Sequence, residues 1–344
     1  MKAKSERFRL WEYTAFAGVT AAVFFLCVCV GSVGVPLRDT LAAIWNGILG
    51  HPQPEGIAAP IILTVRVPRV LCVALTGAAL SVAGVAMQGL LKNPLADGST
   101  LGVSSGASLG AVIAIAFGVS FPGLPLAGTT VMAMAFAFLS LIIILSLAYR
   151  LDRTLSTNTI ILIGVIYSMF VSSAMSIIIT FAADKVQSIT FWTMGSLQGS
   201  NYTNAMMLTG AMIICGGAIC ASAQELNAFA VGEDNARNVG VNVRRTKLML
   251  MIAVSGLIGV CVSIGGTIGF VGLVTPHMLR MIVGPNHRRL LPASAFGGAI
   301  FLMLCDLLAR TLFEPRELPV GVVTSFIGSI LFVVIFIRTR RGEK

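Results

Sequence analysis

The chain has 344 residues, of which 56% are hydrophobic and only 11% charged, with a mean hydropathy of +0.91 and a formal net charge of +10. Soluble domains carry about a quarter charged residues, so a water-soluble enzyme or binding domain is excluded and lipid is the expected solvent. The basic excess then reads as juxtamembrane charge facing anionic lipid rather than as a nucleic-acid footprint.

A helix needs roughly 20 apolar residues to cross the hydrocarbon core, and hydropathy predicts an all-α chain of about ten spans in one transmembrane domain, 1–344. The first apolar run, 14–35, follows Lys2, Lys4, Arg7 and Arg9. It is longer than the apolar region of a signal peptide, about 7–15 residues, and is expected to stay as a span. The second, 61–82, is headed by Arg66-Val67-Pro68-Arg69 and leads through Gly77-Ala78-Ala79-Leu80 and Gly84-Val85-Ala86-Met87-Gln88-Gly89 to an Asn93-Pro94-Leu95-Ala96-Asp97 turn. Residues 83–97 either extend this span or dip out of it.

The third span, 98–119, carries Gly102, Gly106 and Gly110 every fourth residue. Close backbone approach through small residues drives helix packing in lipid, and this ladder is read as packing within the chain; Gly265 and Gly269 repeat the spacing. Spans at 127–149 and 158–182 follow. The latter bears Ser168, Ser172 and Ser176 at i, i+4 and i+8, beside Met169, Ser173 and Met175. That polar stripe fits either a pathway wall or hydrogen bonding to a neighbouring helix.

After a span at 204–222 comes the longest polar loop, about 222–246. Gly232 and Gly240 read as stops after two short helices, with Glu233 and Asp234 at the positive start of the second. Helices this short need a surface to lie on. Spans at 247–267, 268–284, 290–311 and 319–338 complete the chain; Pro276 interrupts one. Asp306 precedes Arg310 by one turn and is its expected ion-pair partner. Arg66 and Arg69 have no such neighbour in sequence, and snorkelling competes with a functional role for them.

Cytoplasmic loops carry the excess of Lys and Arg. With both termini inside, 18 of the 24 basic residues fall on the inner side and six (Arg38, Arg66, Arg69, Lys185, Arg310, Arg316) on the outer. A weak internal echo relates Ala74-Leu75-Thr76-Gly77 to Ala253-Val254-Ser255-Gly256 and Asn93-Pro94 to Thr275-Pro276, as in transporter repeats. The seven cysteines all lie in apolar runs without C-x-x-C spacing and are read as small hydrophobes. His277 lacks a second ligand at helical spacing and is read as a packing residue. No G-x-x-x-x-G-K-[ST] occurs, so the chain has no P-loop of its own.

The order R-x-P-R, glycine ladder, N-P-L-A-D, L-G-V-S-S-G-A, together with Gly269-Phe270-Val271-Gly272-Leu273-Val274-Thr275-Pro276-His277 and Glu317-Leu318-Pro319-Val320-Gly321-Val322, resembles the permease subunit of the ABC importers that take up ferric siderophores, haem and cobalamin. The resemblance runs from Arg66 to Ile337. It implies a type II importer fold in the cell membrane, a second permease subunit (identical or sister), two ATPase subunits that carry ATP and magnesium, and an external substrate-binding protein, with no cofactor on this chain. It implies that Arg66, Arg69 and Arg310 dock carboxylates of the binding protein, whose shape guanidinium matches. It implies that the loop meets the ATPase through Glu225, Leu226, Asn227, Phe229, Gly232, Glu233, Ala236, Arg237, Val239 and Gly240. It also implies that Ser168, Ser172, Met175 and Ser176 face a path between two permeases. The cargo expected from the family is an iron complex, ferric siderophore or haem, with cobalamin as the alternative. An ion-coupled secondary transporter would instead need acidic relay residues inside the spans, for which Asp306 is the clear candidate.

Overall fold

In a computed structural model that describes residues 8–31, 33–53, 56–120, 127–153 and 156–342, all ten expected spans are helical and no strand occurs among the described residues. Lys2, Lys4, Arg7 and Lys344 of the charge argument lie outside the described residues. The helices are α1 Leu10–Cys29, α2 Leu37–Leu49, α3 Ala58–Leu91, α4 Val103–Ala116, α5 Ala127–Leu151, α6 Thr157–Phe181, α7 Val186–Thr193, α8 Tyr202–Ala221, α9 Ala223–Val231, α10 Glu233–Asn238, α11 Val243–Gly265, α12 Val271–Val283, α13 His287–Thr311 and α14 Val320–Gly342. Seven are long and apolar enough to span a bilayer; α4, α12 and α14 are shorter apolar helices. Helices α2 and α7, in the segments joining spans, were not expected from hydropathy.

Several boundaries moved for identifiable reasons. Helix α1 starts before the expected 14 because Glu12 accepts from the Arg9 backbone N–H at 2.7 Å, so a charged residue that hydropathy excluded opens the helix. Helix α3 runs straight through the uncertain 83–91 segment to Leu91, giving 34 residues where 22 were expected. It stops where Lys92 turns left-handed (φ 50°) and the Asn93 side chain accepts from Leu95 N at 2.9 Å. Helices α11 and α12 are separated at 266–270, where Gly266 and Phe270 take positive φ. Gly265 and Gly269 therefore do not share a helix face, as their spacing had suggested.

Burial sorts the helices into a centre and a rim. The most apolar window of α3 is 78% buried and that of α11 72%, against 17% for α1 and 22% for both α6 and α8. The centre is built on glycine. A Cβ at Gly77 would come within 2.2 Å of the Gly298 carbonyl oxygen, and one at Gly84 within 1.9 Å of the Gly272 oxygen, so α3 meets both α13 and α12 backbone to backbone. The ladder in α4 does the same against α5: Gly106 abuts Ser140, and Gly110 the Met132 carbonyl. Intramolecular packing is thus its observed role.

Pro276 inside α12 cannot donate to its i−4 carbonyl, that of Gly272. Gln88 of α3 supplies the donor instead, its Nε2 lying 3.4 Å from Gly272 O and 3.2 Å from Leu273 O. This is how a proline is tolerated at membrane depth.

Gly298→Ala should force α3 and α13 apart and destabilise the fold by about 1–3 kcal/mol. Gly217→Ala, in α8 with no atom within 4 Å of the added carbon, should leave stability unchanged or slightly higher. Thermal unfolding of both variants in detergent would check this.

Candidate functional site: a charged knot, a hydroxyl-lined cavity and an anchored loop

The three arginines expected at the outer face turn inward, two of them onto one carboxylate. Asp306 of α13, 1% exposed, lies 2.9 Å from Arg69 Nη2 and 2.9 Å from Arg310 Nε, and Arg69 Nη1 reaches Glu317 at 2.7 Å. The expected Asp306–Arg310 pair is present, and Arg69 joins it from α3. Arg66 points elsewhere: its Nη1 donates to Val28 O (3.1 Å) and Cys29 O (3.0 Å), and its Nη2 to Val33 O. Arg310 Nη2 donates to Cys27 O at 3.0 Å and its Nη1 to Val30 O at 3.3 Å. The last carbonyls of a helix lack internal partners and carry the negative end of its dipole. Arg66 and Arg310 therefore cap α1. All three guanidiniums are buried, so none snorkels. The partners sequence could not supply for Arg66 and Arg69 come from chain segments far along the sequence.

The polar stripe of α6 faces a cavity of about 380 Å³. Ser168, Ser172 and Met175 line it together with Ser104, Ser105 and Ser108 of α4, Thr193, Thr267 and Phe270. Ser105 Oγ donates to Ser168 Oγ at 3.1 Å, so the stripe hydrogen-bonds a neighbouring helix as well as bordering a cavity. Ser176 is outside the lining; its hydroxyl donates to Ser172 O at 3.0 Å. Asp97 is the ionisable side chain in the wall. The α4 serines and the Thr193–Thr267 contact, in which the Thr267 hydroxyl donates to Thr193 O, were missed. Their signal was the Ser104-Ser105-x-x-Ser108 spacing, one helical face of α4.

The loop forms both short helices, with Gly232 (φ 156°) between them and Gly240 (φ 87°) after them. Its residues divide into anchors and surface. Leu226 and Phe229 are fully buried, three apart on the face of α9 that rests on the ends of α3 and α13, and Ala236 is buried in α10. These three therefore seat the loop on the permease itself and are not free to touch an ATPase. Asn227 Oδ1 accepts from the His287 backbone N–H and ring Nδ1, both at 2.8 Å, and its Nδ2 donates to Asn286 Oδ1 at 3.0 Å. Glu233 pairs with the buried Lys247 at 2.8 Å. Glu225 and Gly232 are half-buried, while Arg237, Val239 and Gly240 are exposed. Val231 and Val239, 74% and 72% exposed, form the apolar outer surface; Val231 was overlooked because it ends a helix and reads as part of the buried stripe.

His277 lies beside Phe332, ring centroids 6.4 Å apart and planes tilted by 57°. The cysteines are free thiols, four of them buried, Cys29 and Cys215 half-buried and Cys220 exposed. No cluster of three or more His, Cys, Asp or Glu that could hold a metal occurs among the described residues.

Residues 19–338 match the FecCD transport family. The chain is 40% identical over 328 residues to the uncharacterised ABC transporter permease protein YvrB of Bacillus subtilis, covering 94% of this chain and 92% of that one. It is 35% identical to the cobalamin import permease BtuC of Halobacterium salinarum (94% and 85% covered) and 37% to the hemin transport permease HmuU of Yersinia pestis (81% and 83%). A solved metal-chelate-type ABC transporter in an inward-facing conformation superposes with a TM-score of 0.83 at 29% identity, covering 94% of this chain and 98% of that one. With its ten apolar helices, its motifs and these relatives, the chain belongs to the FecCD transport family of multi-pass ABC-importer permeases, with the type II fold.

Proposed function

We propose that the chain is the membrane subunit through which an iron complex, a ferric siderophore or haem, crosses the cell membrane after delivery by an external binding protein. The observation that carries this is the cavity onto which α4 and α6 turn their serine hydroxyls and Met175, in a chain whose family transports metal chelates and related cargo. Serine and threonine hydroxyls and one carboxylate, set among Leu80, Ile258, Val262, Ile268 and Phe270, offer many weak contacts and no tight one, which suits a bulky complex that passes through. Cobalamin is the second reading, favoured by the BtuC relative matched over 94% of this chain.

In this reading both termini and the 222–246 loop are cytoplasmic, by the distribution of basic residues. Two copies, or this chain with a sister permease, enclose the path, and two ATPase subunits holding ATP and magnesium bind beneath. The ATPase meets Arg237, Val239, Gly240 and the neighbouring Val231. Glu225, Asn227, Gly232 and Glu233 set the pose of that surface from the half-buried rim, and Leu226, Phe229 and Ala236 hold it from below. Movement of the loop is then transmitted to α3 and α13, on whose ends α9 rests, as rigid-body rocking. Against ion coupling stands Asp306, held between two guanidiniums rather than available as a proton relay.

Docking falls to the opposite end. Arg66, Arg69 and Arg310 form a recessed cationic group, three guanidiniums to the two carboxylates Asp306 and Glu317, which favours an acidic partner approaching from above. Exposed Arg316, next to Glu317, and exposed Arg38 offer that partner a first contact.

Four outcomes test these statements. Proteoliposomes containing the permease, an ATPase and a binding protein should take up ferric hydroxamate or haem on ATP addition; exclusive uptake of cobalamin would move the chain to the second reading. Val231→Glu with Val239→Glu should abolish co-purification with the ATPase while thermal unfolding of the permease alone stays unchanged. Arg316→Glu should weaken binding-protein affinity about tenfold, as read by surface plasmon resonance at low salt. Arg69→Glu should instead reduce the yield of folded protein, by placing a third carboxylate beside Asp306 and Glu317.

A further inference from the structure

The end of the bundle that carries α9 has a cavity of about 340 Å³, bounded by the ends of α3 and α9, by α12 and by the start of α13. Lys92 and Arg280 line it, with Gln88, Gly89, Ala230 and His287, and no carboxylate is among its described lining residues. Lys92 is exposed at the mouth; Arg280 is half-buried. Arg280 Nη2 donates to Gln88 Oε1 at 3.0 Å, and no ion pair joins Arg280 to an acidic side chain among the described residues. One neutral acceptor for a half-buried, five-donor cation is incomplete neutralisation.

His287 adds an independent sign. Its side chain is buried, and Nε2 has no hydrogen-bond partner. Asn227 Oδ1 accepts the His287 backbone N–H, which fixes that atom as the amide oxygen, so the ring nitrogen beside it, Nδ1, must be the protonated one. Nε2 then carries an unmet lone pair turned onto Gly89 at the cavity edge. The pocket thus offers two cations and no carboxylate: the complement of a phosphate group.

We propose that this cavity is an anion site, taking a phosphate group on Lys92 and Arg280. The group could be presented by a lipid headgroup such as that of phosphatidylglycerol, or free as hydrogen phosphate. Basic pockets between helix ends at a bilayer surface suit this chemistry, and charge-assisted bonds to phosphate are strong. An occupant would tie the end of α3 to α12. The inference is independent of the transport reading, since it requires neither ATPase nor cargo.

The test uses the permease alone in detergent. Native mass spectrometry would compare retained phosphatidylglycerol with phosphatidylcholine, and thermal unfolding would compare inorganic phosphate with chloride at equal ionic strength. The expected result is preferential retention of phosphatidylglycerol, a raised unfolding temperature in phosphate, or both. Lys92→Gln, and Ala230→Glu with its carboxylate at the rim, should each weaken that response about fivefold without altering unfolding in chloride. A response to the lipid alone assigns the headgroup; one to phosphate, with or without the lipid, assigns the free ion as a ligand. Equal retention of both lipids with no phosphate effect, or a response unchanged in both variants, would overturn the proposal.

Discussion

Asp306 sets the terms for one end of this molecule. A carboxylate buried to that extent in a bundle of apolar helices is unstable without compensation, and the compensation comes from two helices at once: Arg310 from its own helix, Arg69 from α3. That fixes the register of α3 against α13. The same register brings Gly77 onto Gly298, where two backbones touch. Electrostatics at the end and glycine contact in the middle specify one alignment between them. Arg310 then extends the network to the terminal carbonyls of α1, so three spans are joined at one depth.

The opposite end is joined by different means. There the α9 anchors Leu226 and Phe229 are fully buried, and Asn227 ties α9 to the first residues of α13. Glu12 of α1 pairs with Arg289 of α13. Helix α13 therefore has polar fastenings at both ends and a smooth small-residue surface between them. A displacement imposed on α9 cannot be absorbed locally, because α9 has no slack against the helices it rests on. The cavity wall takes its serine hydroxyls from α4 and α6, outside this fastened set, and meets α3 at Leu80.

Much of this was legible in the amino-acid order. Nine of the ten spans lie within a few residues of their hydropathy positions, because apolar length and glycine spacing are local signals. The two stops at Gly232 and Gly240 were readable for the same reason. What could not be read is what depends on partners distant in sequence. Arg66 reads as an outward charge because nothing near it in the chain is anionic, yet its acceptors are backbone carbonyls more than thirty residues earlier, which carry no sequence signature. Leu226 and Phe229 were assigned to a partner's groove by the family resemblance, and their spacing could not correct it, because it says only that one face is covered. It does not say by whom. Helix α2 escaped because its exposed Leu37, Leu41, Trp45 and Leu49 sit among charged and polar residues that lower its hydropathy.

The start of α3 contains one wide turn, Ile61–Arg66, in which the hydrogen bonds skip five residues rather than four. Such a turn inserts a residue without breaking the helix and rotates everything before it relative to everything after. Arg66 closes that turn and reaches back to α1, while Arg69, less than one turn later, reaches across to α13. A single-residue deletion within 61–66 would restore regular winding and move the residues ahead of the turn off their present bearings. In this part of the chain, the number of residues carries as much information as their identity.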